Sequence, residues 1–215
     1  MARRGAELRE HILDTAKFAF LESGFERTSM DAVAARAQTS KRSLYAHFPT
    51  KDVLFLAVVD RVHELFRGRL LTPERYSDDP ADAAALFCGR FLQMLGYAPV
   101  LQTCRLGIAE AERLPEAAAR LYEVFFGTAA ERLAAYLGRQ YGLDAAAASA
   151  LAGRLLGLTV YPALLRALFG LGKLRDDLPD ETAIASDVDL TAIRQATLLV
   201  LPAVPESALP ERMSQ

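Results

Sequence analysis

The fold is decided by residues 28–51, TSMDAVAARAQTSKRSLYAHFPTK. Met30, Val33, Ala34 and Ala37 recur at offsets of three and four, which puts them on one face of an α-helix. Thr28 or Ser29 supplies a hydroxyl that can accept from the free amides of the first turn, and Thr28-x-x-Asp31 is a shortened capping box. Gln38-Thr39 interrupts the pattern, and Ser40 offers a second cap. The next piece, Lys41 to Phe48, is too short to fold alone. It carries Leu44 and Phe48 as anchors into a core, and Leu44 facing inward turns Lys41, Arg42, Ser43, Tyr45 and His47 outward. Pro49 ends this helix, Thr50 caps another, and Lys51 stands at its first position.

Two short helices joined by about three residues, the second one cationic and hydroxylic, describe a helix-turn-helix. The second helix fits a major groove, where its cations and hydroxyls meet phosphates and base edges. The Thr50 cap and the Lys51 ammonium are expected to form an anion site, because amide donors, helix dipole and charge point the same way.

The string from Ile12 to about Leu56 resembles the TetR family of transcriptional regulators. The matching residues are Ile12-Leu-Asp-Thr-Ala16, Phe20, Ser23-Gly24-Phe25, Thr28-Ser-Met-Asp-Ala-Val-Ala34, Ser40-Lys41, Leu44-Tyr45, His47-Phe48, Lys51 and Leu54. Three positions depart from the family pattern. Gln38 and Arg42 stand where the family often has Gly, and Ala46 where it often has a basic residue. Gln38 is therefore expected in a left-handed conformation at a cost on the order of 1 kcal/mol. Arg42 adds a long cation to the DNA face.

The totals fit a globular chain of one large or two small domains: 215 residues, 52% hydrophobic and 24% charged. The net charge of −2 hides an asymmetry, since residues 1–70 hold 12 Lys and Arg against 9 Asp and Glu. The remainder holds 13 against 18. A basic head on an acidic body suits DNA contact at one end. Cys88 and Cys104 lie in apolar helical surroundings without a CxxC, and read as buried thiols of a reducing cytoplasm. A redox-sensing pair would need their α-carbons within about 7 Å. Neither a signal peptide nor an 18-residue apolar span is evident, so a cytoplasmic location is expected.

Hydrophobic periodicity and punctuation predict an all-α chain of about nine helices. A short basic arm (residues 1–4) precedes a helix over 5–23, which Gly24 ends as a left-handed cap. A long helix over 51–70 buries Leu54, Val58, Val62 and Leu65. Helices over 81–96, 99–113 and 115–140 follow, then one over 145–171 that Pro162 should kink. A polar loop over 170–186, with Asp176, Asp177, Asp180 and Glu181 and with Asp187 just past it, leads to a last helix over 189–201. Pro202, Pro205 and Pro210 make the tail irregular. The expected domains are a helix-turn-helix head (1–50), a connecting helix (51–72), a helical ligand-binding and dimerisation domain (73–203) and an irregular tail (204–215).

No HExxH, GxSxG, P-loop or GxGxxG pattern occurs, so neither catalysis nor a cofactor is expected. His11, His47 and His63 stand isolated. The stretch Cys104–Tyr122, CRLGIAEAERLPEAAARLY, resembles the C-terminal domain of one TetR subgroup. The family resemblance implies an effector cavity, with Phe87, Phe91, Tyr122, Phe125, Phe126 and Tyr161 as candidate walls and Arg105 or Glu110 for a polar group. It also implies homodimers through the last helices, for which Leu155, Leu158, Leu165, Leu168, Leu198 and Leu199 are candidates. The expectation is a homodimeric regulator whose Thr28, Ser40, Lys41, Arg42, Tyr45, His47 and Lys51 contact double-stranded DNA. As a repressor it would leave a palindromic operator when a small, largely apolar effector binds. An activator, or a helical small-molecule-binding or enzymatic protein that no longer binds DNA, stands as the alternative.

Overall fold

The computed structural model describes residues 2–202 except 179 and 181, and only the backbone of residues 2–4. The side chains of the basic arm, Glu181 of the acidic loop, and the tail with Pro205 and Pro210 lie outside the described residues. In chain order the α-helices are α1 (Ala2–Arg27), α2 (Met30–Arg36), α3 (Lys41–His47), α4 (Lys51–Arg69), α5 (Pro80–Leu95), α6 (Ala98–Ala109), α7 (Pro115–Tyr122), α8 (Thr128–Tyr141), α9 (Ala145–Thr159), α10 (Tyr161–Leu168) and α11 (Leu190–Val200). A 3₁₀ turn spans Pro73–Arg75 and a π turn spans Glu123–Gly127. Among the described residues there is no strand, only an isolated bridge between Tyr97 and Arg175.

The helix ends follow the punctuation. Ser29, Ser40, Thr50, Asp79, Asp144 and Asp189 each accept from the amide three residues on, at 2.8–3.2 Å. Gly142, at φ 63°, closes α8 in the left-handed conformation that glycine alone adopts without strain. Gly24 has φ 76° and ψ 169°, so it kinks α1 through an extended, positive-φ geometry and does not close it as a left-handed cap. Pro162 sits in the first turn of α10, and the axis bends by 52° between α9 and α10. The expected single helix over 115–140 is divided by the π turn.

The chain forms two compact units. One comprises the described residues up to Phe66 together with Gln102–Phe125, and the other comprises Arg67–Leu101 with the described residues from Phe126 onward. Residues 102–125, expected in the second domain, therefore belong to the unit that holds the N-terminal helices.

The first unit is organised around Phe20, Phe25 and Phe55. Phe20 stacks on Phe25 at 5.6 Å, and Phe55 meets both edge-on at 5.1 and 5.2 Å, favourable arrangements for aromatic rings. The α4 stripe runs Leu54, Phe55, Val58, Val59, Val62 and Phe66. Leu65, expected in that stripe, is exposed, because Phe66 takes the inward position and packs edge-on against Phe125 at 5.0 Å.

In the second unit α5 is central. It packs against α8, α9, α10 and α11, and from Ala83 to Leu95 nearly every side chain is buried. Gln93 on α5 holds the 170–189 loop, accepting from Ala185 N at 2.8 Å and donating to Ala183 O at 3.4 Å. No single helix among the described residues is long and apolar enough to cross a membrane.

Candidate nucleic-acid interface

The helix-turn-helix is α2, a four-residue joint and α3. The joint closes α2 with two nested backbone bonds, Gln38 N to Ala35 O at 3.1 Å and Thr39 N to Ala34 O at 3.0 Å. These are the paired bonds of a Schellman motif, which requires its penultimate residue to be left-handed. That residue is Gln38, at φ 50° the one non-glycine residue with positive φ among those described. The chain thus carries a β-carbon where glycine would be unstrained, as its sequence indicated.

α3 presents two faces. Leu44 and Phe48 are buried. Arg42 is exposed and Tyr45 is 45% exposed, while Ser43 and His47 are half-buried. Ser40 is exposed and lies 2.8 Å from Ser43 Oγ. The Arg9 guanidinium lies 5.4 Å from the Phe48 ring centroid, which ties α1 to the end of α3. Lys41 Nζ is 2.5 Å from Asp31 Oδ2, and this carboxylate holds the ammonium above its ordinary pKa, chiefly through the hydrogen bond. Arg36 is gripped by Glu22 at 2.5 and 2.9 Å. Among the described residues Arg42 is in no ion pair, so α3 offers one unengaged guanidinium.

Two expected contact residues are placed differently. Thr28 is 3% exposed, and its hydroxyl donates to Gly24 O at 2.7 Å and to Ala19 O at 3.1 Å. It stitches the kink in α1, and it is Ser29 that caps α2. Lys51, expected beside the Thr50 cap, is engaged by the end of α1. Its ammonium donates to Phe25 O at 2.8 Å and Glu26 O at 3.2 Å and lies 4.3 Å from the Phe25 ring centroid. The carbonyls at a helix end need donors, and Lys51 answers that need for α1.

Sequence reasoning also missed Arg113. Its guanidinium lies 4.3 Å from the centroid of the same Phe25 ring, and Nε reaches Glu26 at 2.9 Å. Nothing in the local sequence marks this, since Arg113 lies far along the chain from Phe25.

The expected effector residues divide between the units. Arg105, Glu110, Tyr122 and Phe125 belong to the first, and Phe87, Phe91, Phe126 and Tyr161 to the second. In the second unit Phe91, Phe126 and Tyr161 form a chain of edge-on rings at 6.3 and 6.4 Å. Phe87 meets Tyr76 at 6.5 Å. In the first unit Tyr122 is exposed, Phe125 is core, and the Glu110 carboxylate faces Arg113 at 3.8 Å. An open groove of about 520 Å³ runs between α8 and α9, lined by Glu131, Arg139, Leu143 and Ser149 among others and by none of the expected residues.

Of the expected dimer residues, Leu158, Leu165, Leu198 and Leu199 are exposed, Leu199 by 87%. Leu168 is half-buried. Leu155 is wholly buried within the protomer's own core. Phe169 and Leu171 extend the exposed apolar surface. Cys88 and Cys104 are free and buried, and burial pushes each thiol up to about 12. Among the described residues no group of three or more His, Cys, Asp or Glu is placed to hold a metal ion.

Comparison with known proteins agrees with this geometry. Residues 12–58 match the N-terminal domain of the bacterial regulatory proteins of the tetR family, and residues 82–194 match the AefR-like transcriptional repressor C-terminal domain. The transcriptional activator FasR of Mycolicibacterium smegmatis is 42% identical over 55 residues, 26% of this chain and 25% of that protein. The curated relatives are matched over only about a quarter of their own length. Solved structures match throughout. A TetR-family regulator from Mesorhizobium loti superposes with a TM-score of 0.71 at 22% identity, over 92% of this chain and 96% of that one. The flavonoid-responsive regulator FrrA superposes with a TM-score of 0.70 at 27% identity, over 90% and 94%. With its helix-turn-helix matched at one end and over half its length matched by an AefR-like C-terminal domain, the chain belongs to the TetR family of bacterial regulatory proteins.

Proposed function

We propose that the protein is a cytoplasmic homodimeric repressor that leaves a near-palindromic operator when a small, largely apolar molecule binds. The observation that carries this reading is the two-faced α3: Leu44 and Phe48 sequestered, Lys41, Arg42 and Tyr45 turned to solvent. Arg42 and Tyr45 read base edges or phosphates, Lys41 takes a phosphate, and Ser40 and His47 assist at the rim. Residues 1–50 then act as the reading head, α4 as the connection and residues 73–203 as the effector and dimerisation region.

The second copy is recruited through α9, α10 and α11. Leu158, Leu165, Leu198 and Leu199 are large apolar side chains left mostly exposed on these three helices, and exposed apolar surface of this kind marks protein interfaces. A two-fold dimer places its α3 helices about 34–36 Å apart, one turn of B-DNA. The Phe91–Phe126–Tyr161 ring chain favours a flat apolar or aromatic effector. That FrrA is flavonoid-responsive points the same way. The effector acts by binding one head spacing better than another.

Likeness to an activator at the head keeps activation as a second reading. The test is a footprint on the DNA beside the protein's own gene, with transcription measured with and without aromatic effectors. Protection of two half-sites and relief of transcription on effector addition support repression. A rise in transcription that needs bound protein supports activation, and no protection at all refutes both.

A further inference from the structure

The Lys41–Asp31 pair joins the two helices of the reading motif, since Asp31 lies in the first turn of α2 and Lys41 opens α3. The ammonium and the carboxylate are 2.5 Å apart, and both side chains are more than half exposed, at 66% and 56%. An exposed pair of this kind holds weakly and breaks readily. A carboxylate and a phosphate take an ammonium through the same charge-assisted N–H···O bond. We propose that Asp31 is an internal competitor for phosphate: in free protein its carboxylate occupies Lys41, and DNA must displace it. Asp31 thereby sets the head's affinity and its response to salt. The proposal rests on Lys41 being a DNA contact, as argued above.

Three features of the site support this. The Lys41 stem is a flexible four-carbon chain whose ammonium can swing between partners without moving α3. The competing carboxylate is itself exposed and stands 2.5 Å from that ammonium, so a phosphate arriving at Lys41 meets it directly. Arg42, the next residue, carries no such competitor among the described residues. The two neighbouring cations of α3 are therefore unequal: one is available from the outset, and the other is released only against a strong field of phosphates.

The competition acts on a phosphate contact, so it changes binding to all sequences by one factor. Asp31→Asn is expected to tighten binding about two- to five-fold at low salt, the fold-change that matches an exposed ion pair. The gain shrinks as salt screens the pair.

The experiment measures dissociation constants by fluorescence anisotropy at several KCl concentrations. The probes are a random-sequence duplex and the DNA beside the protein's own gene. The proteins are wild type, Asp31→Asn, Lys41→Gln and the double variant, each checked for unchanged helicity. Asp31→Ser, a second neutral residue suited to a helix's first turn, should behave as Asp31→Asn does. The proposal expects both Asp31 variants to bind both duplexes more tightly by the same factor, and expects Asp31→Asn to have no effect on a Lys41→Gln background. It is overturned if neither Asp31 variant tightens binding. It is also overturned if the gain persists on the Lys41→Gln background, which would mark general charge removal near DNA. If Lys41→Gln alone leaves both constants unchanged, the DNA-contact reading of Lys41 fails, and the competition fails with it.

Discussion

Gln38→Gly should make this protein more stable. Gln38 holds φ 50° in the joint between α2 and α3, and its amide and that of Thr39 close the motif at 3.1 and 3.0 Å. A side chain in the left-handed region costs roughly 1–2 kcal/mol. Glycine removes that cost but gives the unfolded chain more freedom, worth roughly 0.4–1 kcal/mol. The net is a gain of about 0.5–1 kcal/mol, which corresponds to about 1–4 °C in Tm for a chain of this length. Gln38 is exposed, so no packing is lost with its side chain. The assay is thermal unfolding followed by circular dichroism, combined with hydrogen exchange at the Thr39 amide, which reports the joint itself. Gln38→Ala is the control. It keeps the β-carbon and therefore the strain, and should stay within about 0.5 kcal/mol of wild type. The reasoning is refuted if Gln38→Gly lowers Tm, or if Gln38→Ala stabilises as much as Gln38→Gly.

Leu44→Ala removes a fully buried anchor of α3 and should cost about 2–5 kcal/mol, read by chemical denaturation, with operator binding lost as the head loosens. Lys51→Met takes the donor from Phe25 O and Glu26 O, and should lower the stability of the first unit by about 1 kcal/mol in the same assay. Leu198→Asp with Leu199→Asp places charges on the exposed apolar face of α11, and sedimentation equilibrium should then find a monomer that keeps wild-type helicity. Burial raises the Cys88 thiol from 9.0 to about 12, so its contribution to stability is complete below pH 9 and falls as pH rises towards 12. Cys88→Ala should show a smaller loss of denaturation midpoint over that range than wild type, and the same midpoint slope between pH 6 and 8.

The features legible in the sequence are local. The spacing of Met30, Val33 and Ala34 and of Leu44 and Phe48 marked the buried faces of α2 and α3, and these residues are buried. Hydroxyls and aspartates at helix starts act as caps because the interaction spans only three residues. The left-handed Gln38 follows from the family resemblance, since related regulators often carry glycine at that position, and its φ is 50°. What escaped was set by packing across distance in sequence. Thr28 reads as a helix cap and a DNA-contacting hydroxyl, but the kink at Gly24 draws it inward to Ala19 O. Lys51 reads from its position as a phosphate ligand, and its bonds to the carbonyls where α1 ends carry no local signal. Phe66 displaced Leu65 because two adjacent apolar residues compete for one inward position, and Phe125, from a distant segment, selects the ring. The assignment of residues 102–125 to the first unit, with Arg113 over Phe25, had no local signal at all.

The salt dependence of binding tests most directly whether α3 is the DNA-reading helix. Dissociation constants for the DNA beside the protein's own gene should be measured from about 50 to 200 mM KCl for wild type, for Arg42→Ala and for Arg42→Ala with Tyr45→Ala. Each lost phosphate contact lowers the slope of log Kd against log salt by about 0.9, and each lost base-edge contact weakens that DNA relative to a random duplex. The expected result is a flatter slope, weaker binding or lost preference in the single variant, and a further loss in the double variant. Constants, slope and preference all unchanged in the double variant would contradict the assignment.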